Sequence, residues 1–147
     1  MESARALAYL HNDANPRIIH IDVKPSNTFL DENLTAHIRL PLAKMLPAEL
    51  NEGNSHVTII LAGTMGYTDL DYLRTGQVST KRDVYYFGIV LLQLIVPRRA
   101  FDIDRDIMIQ DDVKATLESR GISGLKEEFM DPLLRDSSDL LLGFESF

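Results

Sequence analysis

Apolar positions recur at helical spacing in the first stretch of the chain. Ala4, Leu7, Ala8 and Leu10 fall near one face of a helix over residues 3–12, and Asn15-Pro16 ends it. Ile18-Ile19 is a very short apolar strand. Thr28-Phe29-Leu30 and Ala36-His37-Ile38 are set to pair across Asp31-Glu32-Asn33-Leu34, whose composition is that of a turn. Residues 45–62 carry Pro47, Gly53 and several polar side chains. They read as a long loop, a length that in compact domains goes with function or disorder.

The pattern changes at Thr80. Thr80-Lys81-Arg82-Asp83 has the spacing of a capping box, with Asp in place of Glu or Gln. It opens Val84 to Val96, apolar on every side, and Pro97 stops it. Such a helix is predicted to be buried all round. The uncharged run from Val84 to Pro97 is 14 residues, too short to span a bilayer, which needs about 20. A helix buried on every side needs neighbours on every side, and the other elements are few and short. Its shell is therefore incomplete or lies partly outside this chain, and exposed apolar surface of that kind marks an interface or an aggregation hazard. Farther on, Asp111 to Arg120 predicts a shorter helix with Gly121 as its C-cap. Asp131-Pro132 is a turn, and the tail from Ser137 takes no assignment.

Composition narrows the function classes. At 147 residues the chain is one domain's worth at most, and its apolar content of 45% is that of a globular protein. The net charge of −7 argues against nucleic acid or an anionic membrane as the main partner, since both call for a basic face. With no cysteine, neither a disulfide framework nor a thiolate metal site is possible, which fits a reducing compartment. Met1-Glu2-Ser3-Ala4-Arg5 lacks the layout of a signal peptide. The expectation is a soluble, intracellular chain without a transmembrane segment. Asp102, Asp104 and Asp106 have the opening spacing of a calcium loop, but Ile107 stands where glycine is required and Val113 where the final Glu belongs. A solvated acidic loop is the better account, and no metal residue is assigned.

Candidate chemistry sits in His20-Ile21-Asp22-Val23-Lys24-Pro25-Ser26-Asn27. This stretch resembles the protein-kinase catalytic loop His-Arg-Asp-x-x-x-x-Asn at every fixed position but one. More of the chain follows suit. Ala4 to His11 looks like the second half of the helix before that loop. Leu30 to Ala36 matches the strand pair after it. Gly63-Thr64-Met65-Gly66-Tyr67 resembles the substrate-facing segment, and Ser79 to Gly88 the start of the central helix. Together, from about Glu2 to about Leu134, these motifs resemble the C-terminal lobe of a plant receptor-like Ser/Thr kinase. The resemblance implies a mainly α fold: a partial kinase lobe over residues 1–136 with helices around a buried central helix, a short β-hairpin near the catalytic loop, and a tail over 137–147.

The resemblance also implies roles. Asp22 would accept the proton of a substrate hydroxyl, Lys24 would contact the transferred phosphate, and Asn27 would hold a second Mg²⁺. The competing readings are a hydrogen-bonded loop carboxylate, a solvated lysine and an asparagine that only ties the loop. Gly63 and Thr64 belong to the substrate segment, with a plain loop threonine the alternative. His20 is a packing histidine. Asp83 either completes the capping box or ties the central helix to the catalytic-loop backbone, and both roles are structural.

The departures are specific. Ile21 replaces the arginine that pairs with a phosphorylated activation loop. Where the family has Asp-Phe-Gly before Leu-Ala-Lys, this chain reads Arg39-Leu40-Pro41-Leu42-Ala43-Lys44, and the segment before it is one residue short. Asp69-Leu70-Asp71 stands for the family's Ala-Pro-Glu, and no Gly-rich loop, N-lobe lysine or partner Glu is found. The expectation is a catalytically inactive kinase-like domain that acts by binding a protein, a kinase or an immune receptor, in the cytoplasm or at the inner face of the plasma membrane through its partners. No cofactor is expected, although the family uses ATP and Mg²⁺. The alternatives are a truncated piece of an ATP-dependent protein Ser/Thr kinase and a non-functional remnant.

Overall fold

The computed structural model describes residues 2–46, 56–58 and 77–130. About half of these are helical, with a few short strands between, as suits part of a kinase domain. The chain divides into two compact units, Met1–Val90 and Leu91–Phe147.

In the first unit, α1 covers Glu2–Ala8 and passes into a turn of π-helix, Tyr9–Asp13, closed by the Ala14 N–H on the Tyr9 carbonyl at 2.9 Å. The helical spacing of Leu7 and Leu10 does its expected work. Both are buried against Val23, Tyr86 and Val90, with Ile18, Ile38 and Phe87 packed on the cluster. Burial of apolar side chains of this size stabilises by roughly 1.5–3 kcal/mol each. A second cluster joins Ile19, Ile21, Leu46 and Val78.

The strands are short and antiparallel. β1 (Ile18–Ile19) pairs with β4 (Lys44–Met45), and β2 (Thr28–Leu30) pairs with β3 (Ala36–Ile38) with Phe29 opposite His37. β5 (His56–Thr58) pairs with β6 (Gln77–Ser79). The β2–β3 hairpin is the one its turn composition predicts. Asp31 closes that turn: its Oδ1 accepts the Asn33 and Thr35 N–H groups, both at 2.9 Å. The expected long loop over 45–62 is corrected where it is described, because Met45 and His56–Thr58 are strand residues. Strands of two or three residues carry no period-two signal, and these find partners far along the chain.

The helix α2, Thr80–Ile95, follows β6 directly. Burial on every side does not hold. Asp83, Tyr86, Ile89 and Val90 are buried, while Val84 is 61% exposed, Leu91 44% and Leu94 68%. An apolar composition states what a helix will tolerate. How many neighbours arrive to cover it is a separate matter.

In the second unit, β7 (Phe101–Asp102) and β8 (Ile107–Met108) form a hairpin, and α3 runs from Ile109 to Phe129 with a break at Gly121 (φ 66°, ψ −167°). The predicted helix end at Gly121 thus falls where the helix breaks, and a further helical stretch follows. Asp112 anchors this unit. It takes Arg105 through two bonds, at 2.6 and 2.9 Å, and Arg98 at 2.8 Å. The Arg98 guanidinium also lies over the Phe129 ring, 4.3 Å from its centroid. In the acidic hairpin, Asp102 Oδ1 accepts the N–H groups of Asp104 and Arg105. Among the described residues no His, Cys, Asp and Glu side chains gather in a metal-holding group, and no helix is long and apolar enough to cross a membrane.

Candidate functional site

The site is the segment leaving β1. Ile19, His20, Ile21, Asp22 and Val23 are all buried, so the chain enters the interior and its polar groups must be satisfied there. Asp83, from the first turn of α2, supplies that satisfaction. It is wholly buried, its Oδ2 accepts the His20 N–H at 2.7 Å, and its Oδ1 accepts the Ile21 N–H at 2.9 Å. A third donor, His11 Nε2, reaches Oδ2 at 2.8 Å. A buried carboxylate with three donors around it is the arrangement that keeps such a charge tolerable.

These bonds hold an unfavourable backbone. Ile21 has φ +74°, the left-handed region that a β-branched residue rarely enters. Strain of this kind costs about 1–3 kcal/mol and persists where neighbours over-determine the conformation. Here the Asp83 bond fixes the Ile21 amide, and the apolar cluster fixes its side chain among Ile19, Leu46 and Val78. The position that the resemblance gives to an arginine is therefore a core position in this chain.

Asp22 turns the other way. Its Oδ2 accepts the Asn27 side-chain amide at 2.8 Å and pairs with Lys24 Nζ at 2.9 Å, and the same Asn27 nitrogen donates to the Asp22 carbonyl at 2.7 Å. The clasp has a local cause. Pro25 opens a 3-10 turn, Pro25–Asn27, closed by the Asn27 N–H on the Lys24 carbonyl, and this brings Asn27 back over Asp22. The Arg39 N–H donates to the Asn27 carbonyl at 2.8 Å, tying the strand exit to the loop. Asp22, Lys24 and Asn27 are thus brought together, with His20 and Asp83 beneath them. Gly63 and Thr64 lie outside the described residues.

His20 is fully buried. Burial pushes its pKa below the ordinary value, against the opposing pull of the Asp83 carboxylate. The Asp22 N–H faces its Nδ1 at 3.3 Å, which places the remaining proton on Nε2. The Arg39 backbone lies near the ring, yet Nε2 makes no hydrogen bond of ordinary geometry.

Among the described residues, those of the loop do not by themselves make up a kinase's Mg²⁺ set. That ion demands near-octahedral oxygen ligands, supplied in kinases by a carboxylate as well as the loop asparagine. The segment that the resemblance sets in the carboxylate's place reads Arg39-Leu40-Pro41, which offers a cation and two side chains without a donor oxygen. A cleft of about 460 Å³ in the second unit, bordered by Arg98, Asp102 and Ile109, contains none of the catalytic-loop residues His20 to Asn27.

One member of the site escaped the sequence reading. His11 reaches Asp83 across 72 positions of chain, and the available signal was its place beside Leu7 and Leu10 on the buried side of the first helix.

Residues 1–144 match the family model for the protein kinase domain. The chain is 47% identical over 106 residues to the rice (Oryza sativa subsp. japonica) LRR receptor-like serine/threonine-protein kinase SIK1, covering 71% of this chain and 10% of that protein. It is 44% identical over 106 residues to the LRR receptor-like serine/threonine-protein kinase ERL1 of Arabidopsis thaliana, covering 71% and 11%. It is 40% identical over 147 residues to a probable leucine-rich repeat receptor-like protein kinase of Arabidopsis thaliana, covering 99% and 15%. The chain spans about a tenth to a seventh of the length of these relatives.

Proposed function

This chain belongs to the protein kinase domain family, among the plant receptor-like kinases, and on that premise we propose that it works as a binding domain without phosphoryl transfer. The observation that carries the reading is Arg39-Leu40-Pro41, standing where the family places its metal carboxylate. Kinase catalysis rests on positioning and on electrostatic stabilisation of the nucleotide and its metal. A tenfold rate loss corresponds to about 1.4 kcal/mol of barrier, and a lost charged contact costs several times that. Ile21 supports the same reading. Its side chain is spent on the core, leaving no arginine there to pair with a phosphorylated loop.

The fold in this proposal is part of a kinase C-lobe over residues 1–136 built on α2, with 137–147 a tail. Its partner is a protein, a kinase or an immune receptor, met in the cytoplasm or at the inner face of the plasma membrane. The apolar side chains left open on α2, Val84, Leu91 and Leu94, support a role in contact rather than chemistry. A second reading has its own observation. Asp22, Lys24 and Asn27 remain gathered within hydrogen-bonding distance, which suits a segment of an ATP-dependent Ser/Thr kinase. Incubation with γ-labelled ATP, Mg²⁺ and a generic protein substrate tests the binding reading. The binding reading expects no label above background from the chain or from Arg39→Asp. Label transferred by either would overturn it.

A further inference from the structure

The break in α3 sets an open hydroxyl beside an arginine. Gly121 leaves the helical region, so residues 122–129 start a fresh helical stretch, and Ser123 lies in its first turn. Ser123 is exposed, and its hydroxyl has no hydrogen-bond partner among the described residues. Ser119, on the other side of the break, differs: its Oγ donates to the Ala115 carbonyl at 2.7 Å. Arg120 stands three positions before Ser123 and reaches forward across the break. Its stem lies against Gly124, where an added Cβ would collide with it. Its guanidinium meets Glu127 at 2.9 Å and Glu128 at 3.0 Å. Ion pairs on the surface are worth little, so this guanidinium can change partners at low cost.

We propose that Ser123 is a phosphorylation site for a Ser/Thr kinase that reads an arginine three positions before its acceptor, and that Arg120 afterwards holds the phosphate. To reach a kinase's catalytic groups the first turn must open. The N–H groups of that turn have no carbonyl partner within the stretch, and the glycine break already parts it from the helix before, so opening costs less than in a helix interior. In the transfer, the γ-phosphorus of ATP bonds to Ser123 Oγ and its bond to the bridging oxygen breaks. ADP leaves, and the hydroxyl proton passes to the modifying enzyme's base. The product adds about −1.5 to −2 charge at pH 7. At the start of a helical stretch the dipole favours an anion. Lys126 follows three residues on, and Arg120 is drawn from Glu127 and Glu128, which repel the phosphate. This goes beyond the binding reading and stands whether or not that reading holds.

The test is phosphorylation of the full chain by a purified kinase of Arg-x-x-Ser specificity with γ-labelled ATP, the acceptor located by peptide mapping. The same spacing recurs at Arg135 and Ser138, outside the described residues, so Ser123→Ala and Ser138→Ala are run beside wild type. Label is expected at Ser123, kept in Ser138→Ala and lost from that peptide in Ser123→Ala. Arg120→Gln should slow labelling of Ser123 by at least about tenfold, the order of one lost charged hydrogen bond. Wild type and Arg120→Gln, each driven to full phosphorylation of Ser123, are then titrated by ³¹P NMR. Arg120 should hold the second phosphate pKa below its ordinary value of about 6, and Arg120→Gln should restore it. Absence of label at Ser123, an unchanged rate there in Arg120→Gln, or the same ³¹P titration in both chains would each overturn the proposal.

Discussion

At the scale of single residues, the site is held by one carboxylate that takes no part in any proposed chemistry. Asp83→Ala strands the His20 and Ile21 N–H groups and the His11 donor in the interior. Each unsatisfied buried group costs about 1–3 kcal/mol, so the expected loss for the three is at least roughly 3 kcal/mol, read as a shift in the urea midpoint. Lys24→Ala, which removes only a partly exposed partner of Asp22, is expected to cost about 1 kcal/mol or less in the same measurement. A comparable loss from both would contradict this ranking. Residues of the loop itself were legible in the sequence because Asp22 and Asn27 lie five apart, and a turn started by proline brings them together locally. His11 was not legible. Its partner is contributed by a distant helix, and a lone histidine beside leucines gives no sign of what it will meet.

At the scale of elements, the two described helices that follow the site have glycines with opposite requirements. Gly121 breaks α3 at φ 66° and ψ −167°, a region essentially reserved for glycine, although a Cβ would meet no atom there. Gly121→Ala is therefore expected to destabilise by about 1–3 kcal/mol through the backbone alone. Gly88 lies inside α2, with open space around its would-be Cβ. Gly88→Ala is expected to stabilise by about 0.5–1 kcal/mol, the usual helical gain. Thermal denaturation of both variants checks the pair, and the same sign for each would refute the assignment. The sequence announced the Gly121 break because glycine is the one residue suited to it. It concealed β4 and β5, since strands this short are specified by pairing rather than by pattern. It also overstated the burial of α2, whose apolar run leaves Val84 and Leu94 exposed.

At the scale of the whole molecule, acid should weaken the chain in two stages. Burial lowers the His20 pKa, so below the ordinary value of 6.5 the unfolded chain takes up a proton that the folded one resists. Stability falls as pH drops from 6.5 to that lower folded value and then levels. Asp112, depressed chiefly by its hydrogen bonds to Arg105, contributes stability that is present above the ordinary 3.8. That part is lost as pH falls from 3.8 through the depressed folded value. Denaturant titrations at a series of pH values should show both steps, and a flat profile from 7 to 5 would remove the first. The family was legible because several motifs follow in the right order, and order constrains topology more than any one motif does.

The central claim is that this chain retains the lower scaffold of a phosphotransferase without the ligands that hold a nucleotide and its divalent ion. The most direct measurement is a thermal-shift titration of the full chain with ATP·Mg²⁺ into the millimolar range. A ligand that binds only the folded state raises the melting temperature in a saturable way. The account predicts an unchanged melting temperature throughout, and a saturable rise would contradict it.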